Sequence, residues 1–115
     1  MINKLIINMT PHPVYLYLED GTILPFRSEG VARCIKKRVE KAEVVRFRKY
    51  DIPINDTSFH DILGLPPERN DTIYIVSWIV ALKAKQLGRK DCYLVDEKVR
   101  DENGVCVGGK ALVRP

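Results

Sequence analysis

Only one stretch of this chain carries both a start signal and a stop signal for a helix. Ser77 is a suitable N-cap residue, and Gly88 is a typical residue at the end of a helix. Elsewhere, turn signals such as Asn103-Gly104 divide the chain into short segments rich in β-branched and aromatic residues. The sequence therefore predicts an α+β protein, mostly antiparallel β-sheet, with one main helix over about residues 77–87.

Short strands are predicted along the rest of the chain, with a loop at 51–57. Residues 31–42 fit two patterns, because their apolar residues have helical spacing and also alternate as in a strand. The other predicted strands are 4–7, 14–18, 22–26, 43–50, 59–63, 72–76, 91–95, 99–102, 105–107 and 111–113.

Length and composition indicate one globular domain over residues 1–115. The chain is 45% hydrophobic and 30% charged, which excludes a disordered protein. It has no apolar run of the roughly 18 residues that a membrane span needs. Its first residues read as a strand and not as a signal peptide. The cysteines are Cys34, Cys92 and Cys106, with no spacing typical of zinc, so we expect reduced thiols and a cytoplasmic location.

A surplus of basic residues favours an anionic partner. The net charge is +4, and arginine forks pair well with phosphate oxygens. Arg46 and Arg48 share one strand face, and Arg100, Lys110 and Arg114 lie on the C-terminal strands. The alternative is that these side chains only face water and keep the protein in solution.

The sequence offers no complete set of catalytic residues. His12 and His60 are the candidates for general acid–base chemistry, but neither lies in a pattern that supplies a nucleophile or an orienting carboxylate. The carboxylates near residue 100 alternate with basic residues, which favours surface ion pairs over a metal site. We therefore expect no metal and no cofactor, and binding in preference to catalysis.

Three segments together resemble a known family. Residues 8–14 read Asn-Met-Thr-Pro-His-Pro-Val, residues 72–77 read Thr-Ile-Tyr-Ile-Val-Ser, and residues 99–104 read Val-Arg-Asp-Glu-Asn-Gly. Their order resembles small phage and prophage proteins that open with Asn-Leu-Thr-Pro-His, with Met9 here in place of leucine. Residues 35–59 fall outside this resemblance.

The resemblance implies a fold and a class of function. In such relatives the region of residues 31–36 is a strand, so a strand is favoured here. The chain is similar in size and layout to the first type of Thoeris anti-defence protein. Such proteins are β-rich oligomers that hold cyclic ADP-ribose-like or cyclic oligonucleotide immune signals without cleaving them. The implied function is that of a viral, nucleotide-binding sponge acting in the host cytoplasm.

A ligand site is predicted from these segments and from the basic residues. Prolines stiffen the loop that carries the polar groups of residues 8–12, and the hairpin at 100–101 is expected to approach it. The predicted ligand-binding residues are Asn8, Thr10, His12, Arg46, Arg48, Arg100, Asp101, Lys110 and Arg114. The alternative for the loop is a structural corner, in which Asn8 and Thr10 bond to the backbone.

The sequence also predicts a homo-oligomer and leaves two alternative functions open. The first half of the helix is apolar on all sides, which predicts contact with a second subunit in a homo-oligomer. One alternative function is a small viral phosphodiesterase with His12 as acid–base group and Arg100 stabilising charge. Another is a sequence-tolerant nucleic-acid binder that works through Arg46 and Arg48.

Overall fold

Residues 3–115 are described by a computed structural model, in which strands dominate. The molecule is elongated, with principal extents of 62 × 37 × 21 Å. Its elements in chain order are β1 (Leu5–Asn8), β2 (Val14–Tyr17), β3 (Ile23–Phe26), β4 (Arg33–Phe47), β5 (Tyr50–Leu63), β6 (Thr72–Ile75), α1 (Trp78–Gln86), β7 (Cys92–Arg100) and β8 (Cys106–Val113).

Six strands form one mixed sheet in the order β1-β6-β7-β8-β2-β3. The predicted mostly-β fold with one helix is confirmed, although the sheets are partly parallel. The pairs β1–β6, β6–β7 and β2–β8 are parallel, whereas β2–β3 and β7–β8 are antiparallel. Strands β6 and β7 are joined through α1, and such a crossover connects parallel neighbours. We call this sheet with its helix the body.

The helix packs against the six-stranded sheet through small side chains. Val80, Ala81 and Ala84 are buried, and Gly88 ends the helix with a left-handed φ of 84°. Ser77 is the N-cap residue, as predicted, although its side chain makes no capping hydrogen bond. No helix in residues 3–115 has the length and apolar character needed to cross a membrane.

The sheet has an apolar cluster on each side. Strand alternation sends Tyr74 of β6 into one cluster and Ile75 into the other. The larger cluster lies under the helix and includes Val80 and Cys92, and the smaller one contains Val14. The helix therefore covers one face of the sheet and leaves the small cluster on the other.

Strands β4 and β5 pair only with each other and form a long two-stranded hairpin, which we call the arm (residues 33–63). The predicted strand at 31–42 is confirmed, but it continues through a bulge at Lys41 to Phe47. The predicted loop at 51–57 is wrong, because these residues belong to β5. Pro53 lies opposite Val44 at a position where the alternating ladder does not require its N–H.

Candidate anion-binding site

The loop after β1 is held together by Asn8, which is completely buried. Its Nδ2 donates to the carbonyl oxygens of His12 at 2.8 Å and Phe26 at 3.0 Å. Its Oδ1 accepts from the backbone N–H of Thr10 at 3.0 Å and from the Thr10 hydroxyl at 2.6 Å. These four bonds use the full capacity of the amide. The contacts of Asn8 and Thr10 are thus those of a structural corner.

The hairpin between β7 and β8 lies at the same end of the sheet as this loop. Strands β2 and β8 are parallel, and one begins after the loop while the other begins after the hairpin. Asp101 Oδ1 accepts from the backbone N–H groups of Asn103 and Val105, which fixes the turn. Arg100 Nη1 donates to the carbonyl oxygen of Gly104 at 3.0 Å.

The other predicted site residues lie elsewhere. Arg46 and Arg48 are at the tip of the arm, where Arg46 pairs with Asp51 at 3.2 Å. Lys110 is exposed within β8, and Arg114 lies just beyond the end of that strand. The nine predicted residues are therefore divided among the arm tip, strand β8 and opposite ends of the body, and they do not line one common cleft.

A cleft of about 730 Å³ lies at the end of the body that carries Arg114. It is found where β1, β6 and β7 begin, and where α1 and β8 end. Six cationic and two anionic side chains line it: Lys4, Arg69, Lys85, Arg89, Lys90 and Arg114, with Glu68 and Asp91.

The parallel strands explain why these cations meet. Lys4, Arg69 and Lys90 come from separate segments, each one to three residues before β1, β6 or β7. Because the three strands are parallel neighbours, their amino ends share one edge of the sheet. Cations just before successive parallel strands are thus brought to the same place.

An ion pair between Arg89 and Asp91 forms one wall of the cleft. Arg89 Nε donates to Asp91 Oδ1 at 2.9 Å, and Arg89 Nη2 donates to Oδ2 at 2.8 Å. The same Nη2 also donates to the carbonyl oxygen of Pro66 at 2.7 Å. This hydrogen bonding with Asp91 raises the pKa of Arg89. The charge of Arg89 is therefore matched within the protein.

Cys92 lies beside this pair as a neutral thiol. Burial raises its pKa to about 12, and the nearby Asp91 carboxylate adds to the shift. At neutral pH such a group is protonated, and a protonated thiol is a poor nucleophile. Cys92 thus contributes an apolar surface to the cleft and not a reactive group.

Lys85 bonds to a main-chain oxygen, and four other lining cations have no carboxylate partner. Among residues 3–115, Lys4, Arg69, Lys90 and Arg114 lie beyond salt-bridge distance of any carboxylate. The Arg114 guanidinium carbon lies 5.7 Å from the ring centroid of Tyr93, and its Nε is 3.3 Å from the Tyr93 hydroxyl. The cleft therefore presents positive charge beside an aromatic ring.

The helix explains only part of this charge. Lys85, whose Nζ donates to the carbonyl oxygen of Pro115 at 2.8 Å, lies in the last helical turn. Cations there stabilise the negative end of the helix dipole. Lys4, Arg69 and Arg114 belong to other elements, so the helix does not explain their convergence.

A second, shallower groove of about 320 Å³ lies at the other end of the helix. It runs between the loop after β1 and the base of the arm, and Thr10, Phe59 and Ile79 contribute to its mostly apolar lining. In the described residues, no group of three or more His, Cys, Asp or Glu side chains is arranged to hold a metal ion.

Comparisons with protein-family models, with curated proteins and with solved structures find no match to this chain. Of the predicted site residues, only Arg114 lines the cleft. The sequence signal that could have revealed the others is the repeated placement of a cation just before a strand.

Proposed function

We propose that this protein binds a phosphate-bearing, nucleotide-derived small molecule in the cationic cleft and holds it without cleaving it. One observation carries the proposal: four cations without carboxylate partners converge in one concave site. Positive charge that lacks an internal partner is well suited to an external anion, and a concave wall strengthens its field. The ligand is identified here by class, as a small phosphate ester with an aromatic base.

The dimensions of the cleft support a ligand of this class. Small-molecule sites have volumes of about 300–1,000 Å³, and this cleft has about 730 Å³. Arginine planes and tyrosine rings stack on nucleobases, and Arg114 already lies over the ring of Tyr93. A nucleotide whose phosphate contacts the lysines and whose base stacks near Arg114 and Tyr93 would use both the charge and the aromatic ring of the cleft.

The chemistry of the lining favours holding the ligand over cleaving it. The cysteine in the wall is a neutral thiol, and the neighbouring carboxylate of Asp91 is occupied by Arg89. The other lining carboxylate, Glu68, accepts a hydrogen bond from the backbone N–H of Lys90 at 3.2 Å. The lining cations are therefore expected to contribute to affinity for phosphate and not to its cleavage. This agrees with the signal-sequestering, anti-defence role that the family resemblance implies, and with action in the cytoplasm of a phage host.

Calorimetric titration with ADP-ribose, cyclic di-AMP and cyclic ADP-ribose as probes tests the proposal. Arg69→Ala/Arg114→Ala should weaken binding of the preferred probe at least about 30-fold, as expected for the loss of two charge-assisted contacts. Arg46→Ala/Arg48→Ala removes the same charge from the arm and should change the affinity by less than about twofold.

The same experiment separates binding from turnover. After incubation, the protein is denatured by heat and the released probe is analysed by chromatography and mass spectrometry. Intact probe supports sequestration, and a cleaved product refutes it. An equal loss of probe affinity in the two double variants would show that the cleft is not the binding site.

Nucleic-acid binding is a second candidate, favoured by the tip of the arm. Arg46, Arg48 and Lys49 cluster at the turn of a protruding two-stranded ribbon, and such a ribbon fits the major groove of DNA. Binding to a random-sequence duplex should then weaken steeply with salt and fall in Arg46→Ala/Arg48→Ala. The phosphodiesterase alternative stays a prediction, tested by turnover of cyclic di-AMP in His12→Ala.

A further inference from the structure

The two faces of the arm differ in character. Residues directly opposite each other in an antiparallel pair point to the same face. Phe47 faces Tyr50 across the turn and Val45 faces Ile52, while Ile54 lies opposite Glu43. The side chains of Val45, Phe47, Tyr50, Ile52 and Ile54 therefore form one continuous row, which we call the apolar face.

The opposite face of the arm tip is mixed. Arg46 pairs with Asp51, and the neighbouring cross-strand pair is Val44 with Pro53. Adjacent residues of a strand point to opposite faces, so Val44 and Val45 lie on opposite faces of the arm at nearly the same distance from its tip. The arm therefore has one face with five adjoining apolar side chains and one face on which an apolar pair adjoins an ion pair.

Nothing within residues 3–115 covers the apolar face. The five side chains are 39–57% exposed, and every residue from Ile35 to Ser58 is exposed. The radius of gyration is 18.3 Å, against about 13 Å for a compact chain of this length. An isolated two-stranded hairpin is only marginally stable in water. An arm with an exposed apolar face is therefore expected to be stabilised by packing against another molecule.

We propose that the apolar face of the arm packs on the same face of a second copy of this chain. The side chains of Phe47 and Tyr50 alone expose about 200 Å² of surface. With the three aliphatic residues, the face reaches roughly 500 Å², within the range of the largest apolar patches on monomers. A two-fold contact that covers this face completely buries it twice, about 1,000 Å² in total, which reaches the lower limit for a specific interface.

Charge on the same side of the arm also selects a second copy. Glu43 lies opposite Ile54, and further along the same face Asp56 lies opposite Val39 while Lys37 lies opposite Ser58. Glu43 and Asp56 would repel the phosphates of a nucleic acid from this face, although not from the arginine-bearing tip, whereas a face with both signs can match itself. A two-fold dimer uses one patch twice, as a self-complementary face allows. This inference is independent of the cleft.

Sedimentation equilibrium of the whole chain, at concentrations from about 1 to 200 µM, tests the proposal. The wild type should be a dimer, with twice the chain mass of 13.2 kDa. Val45→Lys places a charge in each half of the interface and should raise the dimer dissociation constant at least about tenfold. Val44→Lys, on the other face, should change it by less than about threefold.

Hydrogen exchange of the unaltered protein provides a measurement that does not depend on the folding of a variant. Amides of residues 33–63 should exchange more slowly as the concentration rises through the dissociation constant, while amides of the six-stranded sheet should not respond. A monomer at 200 µM, or equal effects of the two lysine variants, would overturn the proposal. So would a dimer that is broken by Leu82→Lys on the helix but not by Val45→Lys.

Discussion

The body and the arm use the same alternating patterns of residues, but only the body contains something to bury them against. In β6 the alternation sends Tyr74 and Ile75 into clusters on opposite sides of the sheet, each at most 2% exposed. In the arm the same alternation produces an apolar row in which every side chain is at least 39% exposed. Alternation thus predicts a strand and a two-sided environment, but it does not say whether the covering surface belongs to the same chain.

Two arginine–aspartate pairs repeat this contrast. The Arg89–Asp91 pair has two hydrogen bonds and a carboxylate side chain that is 5% exposed, whereas the side chains of Arg46 and Asp51 are more than 60% exposed. Burial decides what such a pair contributes, because water screens an exposed pair and a buried carboxylate depends on its partner. The body and the arm should therefore respond very differently to matched substitutions.

The largest expected effect is on the contact between β2 and β8. In Gly108→Ala the new methyl group would collide with the backbone of Tyr15, including its carbonyl oxygen. We expect a loss of more than about 4 kcal/mol in the free energy of unfolding. Gly104→Ala is the matched control, since its methyl group would lie in open space, and it should lose about 1 kcal/mol for its left-handed φ of 79°. Urea unfolding followed by circular dichroism measures both, and equal losses would contradict the described β2–β8 pairing.

The two arginine–aspartate pairs provide the next test. Arg89→Ala leaves the carboxylate of Asp91 buried without a partner and should lower the free energy of unfolding by about 4 kcal/mol. Arg46→Ala in the arm should lower it by less than about 0.5 kcal/mol. Guanidinium is avoided as denaturant because its salt effect would weaken both pairs, so urea is used. A small effect of Arg89→Ala would mean that water reaches Asp91.

Asparagines in the two regions should also differ. Asn8→Ala removes four hydrogen bonds made by a completely buried amide, including the donor to the Phe26 carbonyl oxygen, for an expected loss of about 3 kcal/mol. Asn55→Ala removes one exposed bond from the backbone N–H of Lys41 and should lose less than about 1 kcal/mol. Thermal unfolding of the two variants compares them directly. Similar melting temperatures would show that the loop after β1 is not held by this amide.

The smallest expected effect concerns the cysteines. Because the pKa of Cys92 is raised to about 12 from an ordinary value of 9.0, the unfolded chain releases this proton at lower pH than the folded chain. Its contribution to stability is complete below pH 9 and declines as the pH rises toward 12. Urea titrations at pH 8 and pH 10 should therefore show a smaller decline in Cys92→Ala than in the wild type. Exposed Cys106 is the control, and Cys106→Ala should keep the full decline.

Much of the body could be predicted from local patterns. The strands at 14–18, 22–26 and 72–76 and the helix at 77–87 were each within one or two residues of the observed elements. The parallel pairings could not be predicted, because they depend on long crossovers that no local signal specifies. The strands at 91–95 and 99–102 proved to be one strand, as did those at 105–107 and 111–113.

The complete arm and the cleft could not be predicted from local sequence patterns. Pro53 and the polar residues around it suggested a loop, yet a proline is tolerated where the ladder leaves its N–H unused. The predicted hairpin and loop do lie at the same end of the body. The cleft was missed because its cations are separated by up to 110 residues. They meet only through the parallel order of β1, β6 and β7, the end of α1, and the antiparallel return of β8.

The outer edges of the arm carry a consequence for how far assembly can proceed. Each of its two strands has a partner on one side only, so a long row of main-chain donors and acceptors remains open to further strands. Lys36, Lys37 and Arg38 stand in succession along β4, and the bulge at Lys41 interrupts its regular spacing. Consecutive cations and an irregular edge both discourage open-ended polymerisation. Both features therefore resist growth of the sheet through its open edges.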